Sequence, residues 1–122
     1  MNILLWILQI ILALHTIAGA LWKFSQPVGK AVPSLAAIPQ GLWVALGVIE
    51  LLVGAALVVP AVNKAWAGLV PLAALFIVAE MLLFTIVHLA SGNKFNGQPV
   101  YWLVVALVAA FIAYGRFAIR PL

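Results

Sequence analysis

A chain of 122 residues that is 68% hydrophobic and 7% charged, with a mean hydropathy of +1.30, lies outside the range of soluble domains, which carry roughly 25% charged residues. Crossing a hydrocarbon core of about 30 Å takes about 20 apolar residues, so four or five spans exhaust the length and residues 1–122 read as a single transmembrane domain. The net charge of +4 comes from basic residues set singly, which excludes the clustered basic face of nucleic-acid binding, and the absence of cysteine excludes thiol exchange and internal disulfides.

The first apolar segment runs from about residue 3 to 22 and is interrupted by Gln9 and His15. Its Ala18-Gly19-Ala20 has the small-residue pattern of a signal peptidase site. However, MNILLWILQ lacks Lys and Arg and the apolar stretch is long for a signal, so the segment is read as a retained helix. Gly19 is expected to pack against a neighbouring helix, and Trp22 and Lys23 to anchor the segment end at the headgroups. The connection KFSQPVGKAVPSLAAIPQG, with three prolines and two glycines, follows.

The second segment, about 42–59, stops before Pro60 and carries Glu50 near its centre. Gly47, Glu50 and Gly54 follow i, i+3, i+7 spacing and share one stripe, and the glycines let a neighbouring backbone approach closely, so Glu50 is expected at a helix contact. The turn PAVNKAW contributes Trp66 as an interfacial anchor. The third segment, about 68–90, places Glu80, Phe84 and His88 on one stripe at i, i+4, i+8. SGNKFNGQP leads to the fourth, about 100–119, in whose last turns Arg116 and Arg120 are expected to snorkel to the surface. Trp43, Tyr101, Trp102 and Tyr114 also fall near segment ends, as in an aromatic belt.

Backbone groups in lipid must be satisfied internally, so the four segments are helices and the fold class is an all-α integral membrane four-helix bundle in contact with the lipid bilayer. Lys23, Lys30 and Lys94 fall on one side and Lys64, Arg116 and Arg120 on the other. The two arginines near the end of the chain favour cytoplasmic termini.

Glu50 and Glu80, the only acidic residues, lie within a turn of the midplane, with His15 slightly beyond the middle of its helix and His88 displaced toward the same side. A charge at a helix centre costs roughly 2.5–3.5 kcal/mol on the insertion scale, and the aliphatic residues around Glu50 return enough to insert the helix. With no Lys or Arg expected nearby, like-charge repulsion and desolvation leave at least one of the two carboxyls protonated near neutral pH. His15, Glu50, Glu80 and His88 are therefore candidates for a ligand site or proton relay, or for structural cross-links worth roughly 0.6–2 kcal/mol each. No metal is expected, because the Glu-x-x-His spacing of di-iron bundles is absent, and GxGxxG, P-loop, HExxH and GxSxG motifs are missing.

Three stretches carry a family resemblance: AGALWKF at 18–24, GVIELLVGAALVVP at 47–60 and AYGRFAIRPL at 113–122. In their order and spacing the chain resembles the DoxX-like family of small four-helix bacterial integral membrane proteins. The resemblance implies a bacterial inner-membrane component of a redox or quinone-linked system, with a quinone head group as the possible ligand of the polar midplane. It implies as an alternative an interaction or assembly factor for a partner membrane or redox protein. Carboxyls that point into a cavity favour the first, carboxyls on an outer face the second.

Overall fold

The computed structural model describes residues 2–25, 38–90, 92 and 97–119. Four helices account for most of them: α1 (Asn2–Ser25), α2 (Gln40–Val58), α3 (Leu69–Ala90) and α4 (Gly97–Tyr114). Short 3-10 turns at Val59–Ala61 and Lys64–Trp66 join α2 to α3, and a π-helical turn, Gly115–Ile119, continues α4. All four helices are long and apolar enough to cross a membrane. The protein is an all-α, multi-pass membrane bundle.

Helix ends follow local chemistry. α2 stops at Val58, two residues before Pro60, which lacks the N–H a continuing helix needs. Past the end of α3 at Ala90 stands Gly92, whose φ of 85° is open to glycine without strain and whose N–H reaches the Leu89 carbonyl at 3.1 Å. α4 begins three residues earlier than hydropathy alone indicates, because Pro99 fits the first turn, where a missing donor costs nothing.

The helices form two tight hairpins, α1 with α2 and α3 with α4, which meet broadly across α2 and α3 and only thinly across α1 and α4. The α1/α2 seam is held close by glycine. A Cβ added at Gly47 would lie 3.0 Å from the Phe24 ring and 3.6 Å from the Ala20 carbonyl oxygen, and one at Gly54 would lie 2.6 Å from Ile17 Cγ1 and 3.4 Å from the Ala13 carbonyl oxygen. Between α3 and α4 small residues have the same role: Ala73, Ala74, Ala106, Ala109 and Ala113 are all buried. Gly19 is no such packing residue, since a Cβ there meets nothing within 4 Å.

Large apolar side chains such as Leu14, Leu52, Ile86 and Leu107 face outward on all four helices. The polar groups are inside: Gln9, Thr16, Lys23, Glu50, Glu80, Thr85, His88 and Arg116 are all buried. This inversion suits a bundle whose solvent is lipid.

Candidate functional site

The α1/α2 register sets up the site. Ala20 lies level with Gly47 and Ala13 with Gly54, which leaves Lys23 about six residues, roughly 9 Å of helix rise, beyond the level of Glu50. Cα–Cβ bonds tilt toward the N-terminus of their helix. In α1 that direction carries Lys23 into the membrane; in antiparallel α2 it carries Glu50 back to meet it. The Lys23 ammonium stands 2.7 Å from Glu50 Oε1 and donates to Oε2 at 3.1 Å. It also stands 4.7 Å from the centre of the Trp43 ring and 5.3 Å from that of Phe84, a cation–π setting that partly replaces its lost hydration.

Lys23 is thus no interfacial anchor. It is 6% exposed, and it is the cation that Glu50 was expected to lack. The Glu80 carboxyl, 3% exposed, lines the same cavity as that of Glu50. One ammonium balances one carboxylate, so the Lys23–Glu50–Glu80 group is neutral when a single proton remains on the carboxyl pair. A net charge buried at this depth is expensive, and the proton removes it.

His15 closes the same space from α1, its Nε2 sharing a hydrogen bond with the Tyr101 hydroxyl of α4 and its ring meeting Tyr101 edge-on. Trp43, Phe84, Trp102 and His88 form a continuous run of rings with centres 6.0, 5.8 and 5.6 Å apart. Trp43 and Trp102 are therefore core side chains and not members of a headgroup belt, whereas Trp22, Trp66 and Tyr114 are exposed.

These groups enclose a half-open cavity of about 620 Å³ to which all four helices contribute. Its polar lining is His15, Thr16, Lys23, Glu50, Glu80 and Tyr101, and its apolar walls include Trp43, Ile77, Phe84, Trp102 and Val105. Gly19 and Trp22 lie on its rim. His88 stands behind Trp102 and is not part of the lining. Apart from Glu50 Oε1, which faces the Lys23 ammonium, three buried polar atoms of lining residues, His15 Nδ1, Trp43 Nε1 and Glu80 Oε2, have no hydrogen-bond partner among the described residues. Nor do three or more His, Asp or Glu side chains group there as metal ligands, among the described residues.

A second polar cluster occupies the other half of the membrane. Arg116, expected to snorkel outward, is instead 3% exposed; its Nε donates to Gln9 Oε1, and its guanidinium lies 5.4 Å from the centre of the Trp6 ring. Gln9 Nε2 donates in turn to the Leu57 carbonyl at 2.8 Å. The same tilt explains this inward turn, since Arg116 sits in the last turns of a helix whose N-terminus is across the membrane. Arg120 lies outside the described residues.

Lys23, Trp43, Tyr101 and Trp102 are site residues that reasoning from hydropathy assigned to the interface. One signal for Lys23 was present: Gln9, Thr16 and Lys23 recur every seven residues on α1, the period that keeps a stripe facing a partner helix. Comparison of the chain with protein-family models, with curated proteins and with solved structures finds no match.

Proposed function

We propose that this membrane protein holds the head group of a small lipid-soluble ligand of the quinone class in the cavity between its helices, as a DoxX-like component of a redox-linked membrane system. The observation that carries this is the convergence of Lys23, Glu50, Glu80, His15 and Tyr101 on one half-open space at membrane depth. Its volume of about 620 Å³ falls within the roughly 300–1,000 Å³ usual for small-molecule sites. The ring run Trp43–Phe84–Trp102 suits a flat ring. The unpartnered Trp43 indole N–H suits a carbonyl acceptor, and the unpartnered Glu80 oxygen suits a hydroxyl donor, so the oxidised and reduced forms of such a ring each find a complement. Each of these groups left unsatisfied costs about 1–3 kcal/mol, which a ligand recovers.

Two of the three stretches that carry the family resemblance, 18–24 and 47–60, are the ones joined by the Lys23–Glu50 pair. The assembly-factor alternative calls for carboxyls on an outer face, and both are buried beside the cavity.

Purification from the native membrane in mild detergent, followed by lipid extraction and mass spectrometry, tests this. A prenylated quinone should accompany the wild-type protein and be depleted in Glu80→Gln. Phospholipid alone from both would defeat the ligand, and a stoichiometric membrane protein in its place would favour the assembly factor.

A further inference from the structure

The exposed part of the cavity lining belongs to two helices. Among its lining residues, those of α2 and α3, including Trp43, Glu50, Ile77, Glu80 and Phe84, are all buried. Trp22, Tyr101 and Gly97 are exposed, and His15 and Gly19 are half-buried; all five belong to α1 or α4. Of the four neighbouring helix pairs in the bundle, this one has the thinnest mutual contact. Tyr101 meets His15 across that seam, and at Gly19 a side chain has nothing within 4 Å among the described residues.

We propose that the α1/α4 seam is a lateral portal to the bilayer, occupied by the hydrocarbon tail of an amphiphile whose head group sits in the cavity, with Gly19 as its sill and the His15–Tyr101 hydrogen bond as its crosspiece. This rests on the ligand-site function proposed above. Three features argue for a tail and not for a second protein chain. The opening lies within two spans whose outward side chains are apolar, it leads to a polar interior too small for a helix, and it is bordered by residues with no side chain or a flat ring. A tail leaving through it keeps its methylenes in lipid, while the head reaches Glu80 and Lys23. Gly19 is then a specificity-determining residue: it selects for a chain attached to the ring and is silent toward the ring itself.

The test uses the full chain in lipid nanodiscs, with binding read from quenching of intrinsic tryptophan fluorescence. Two probes are compared, a decyl-substituted benzoquinone and the same ring with methyl in place of decyl. Gly19→Leu fills the sill without entering the packed α1/α2 seam, and Ala18→Leu, on the exposed neighbouring position, is the control. Gly19→Leu should weaken the decyl probe by about tenfold relative to the methyl probe, the equivalent of about two methylene groups of lost contact, and Ala18→Leu should change neither. A photoreactive group at the far end of the decyl chain should label α1 and α4 in preference to α2 and α3.

Equal losses of both probes in Gly19→Leu, or no loss of either, would overturn the portal while leaving the head-group site standing. Labelling spread over all four helices would do the same. Binding of neither probe to the wild-type protein would defeat the site itself, and the portal with it.

Discussion

Lys23 and Glu50 exist as buried charges because each has the other, and their replacement separates the pair's cost from its benefit. Removing one member of a buried pair typically costs about 3–5 kcal/mol, whereas exchanging both for apolar groups is often neutral. Lys23 has an escape that Glu50 lacks. It stands in the last turn of α1, so when its carboxylate is gone the flexible stem can swing toward the headgroups. Glu50→Leu should therefore lose less than the full penalty in thermal unfolding in detergent. It should also make Lys23 reactive toward a membrane-impermeant amine reagent, located by peptide mass spectrometry, where the wild-type residue is protected. Lys23→Met combined with Glu50→Leu should restore stability to near wild type. A Lys23 equally reactive in the wild-type protein would contradict its burial.

At the scale of helices, Gly47 and Gly54 of α2 and Gly19 of α1 look alike in sequence but differ in space. Gly54 faces Ile17 and the Ala13 backbone at contact distance, so Gly54→Val forces the α1/α2 seam apart and should cost about 1–3 kcal/mol, as overpacking commonly does. Gly19→Ala enters open space and should gain helix propensity without a clash. Thermal unfolding of both variants in detergent should show the melting temperature falling in the first and not in the second; equal losses would refute the assigned seam. Segment existence, number and approximate limits were legible because lipid burial demands long unbroken apolar runs; the polar start of α4 and the last residues of α1, Lys23 to Ser25, escaped that signal. The place of Glu50 at a helix contact was legible too, from the glycines beside it, but not that both carboxyls face a cavity. The roles of Lys23 and Arg116 were not, because a basic residue near a span end has two solutions, outward to headgroups or inward to a partner. Only the packing register, which puts Glu50 and Gln9 within reach, decides between them.

The whole molecule is a pair of hairpins with alternating helix direction, and its lack of cysteine makes that topology directly measurable. Val62, 91% exposed in the turn between α2 and α3, and Gly97, exposed at the start of α4, should lie on opposite membrane sides. Val62→Cys and Gly97→Cys, each introduced singly, should be labelled by an impermeant maleimide from opposite faces of sealed vesicles. Labelling of both from one face would break the bundle as described.

The inward tilt of Lys23 also bears on how the chain is made. During synthesis α1 reaches the bilayer first, when no carboxylate is present to receive its lysine, and the ammonium can wait among phosphate headgroups at little cost. α2 then delivers Glu50 to a cation already positioned one helix away, and α3 brings Glu80 to a pair already formed. Gln9 likewise precedes Arg116 by nearly the whole chain. The order of translation thus presents each charged group that enters after Lys23 with its partner in place, so no ion has to cross into lipid alone.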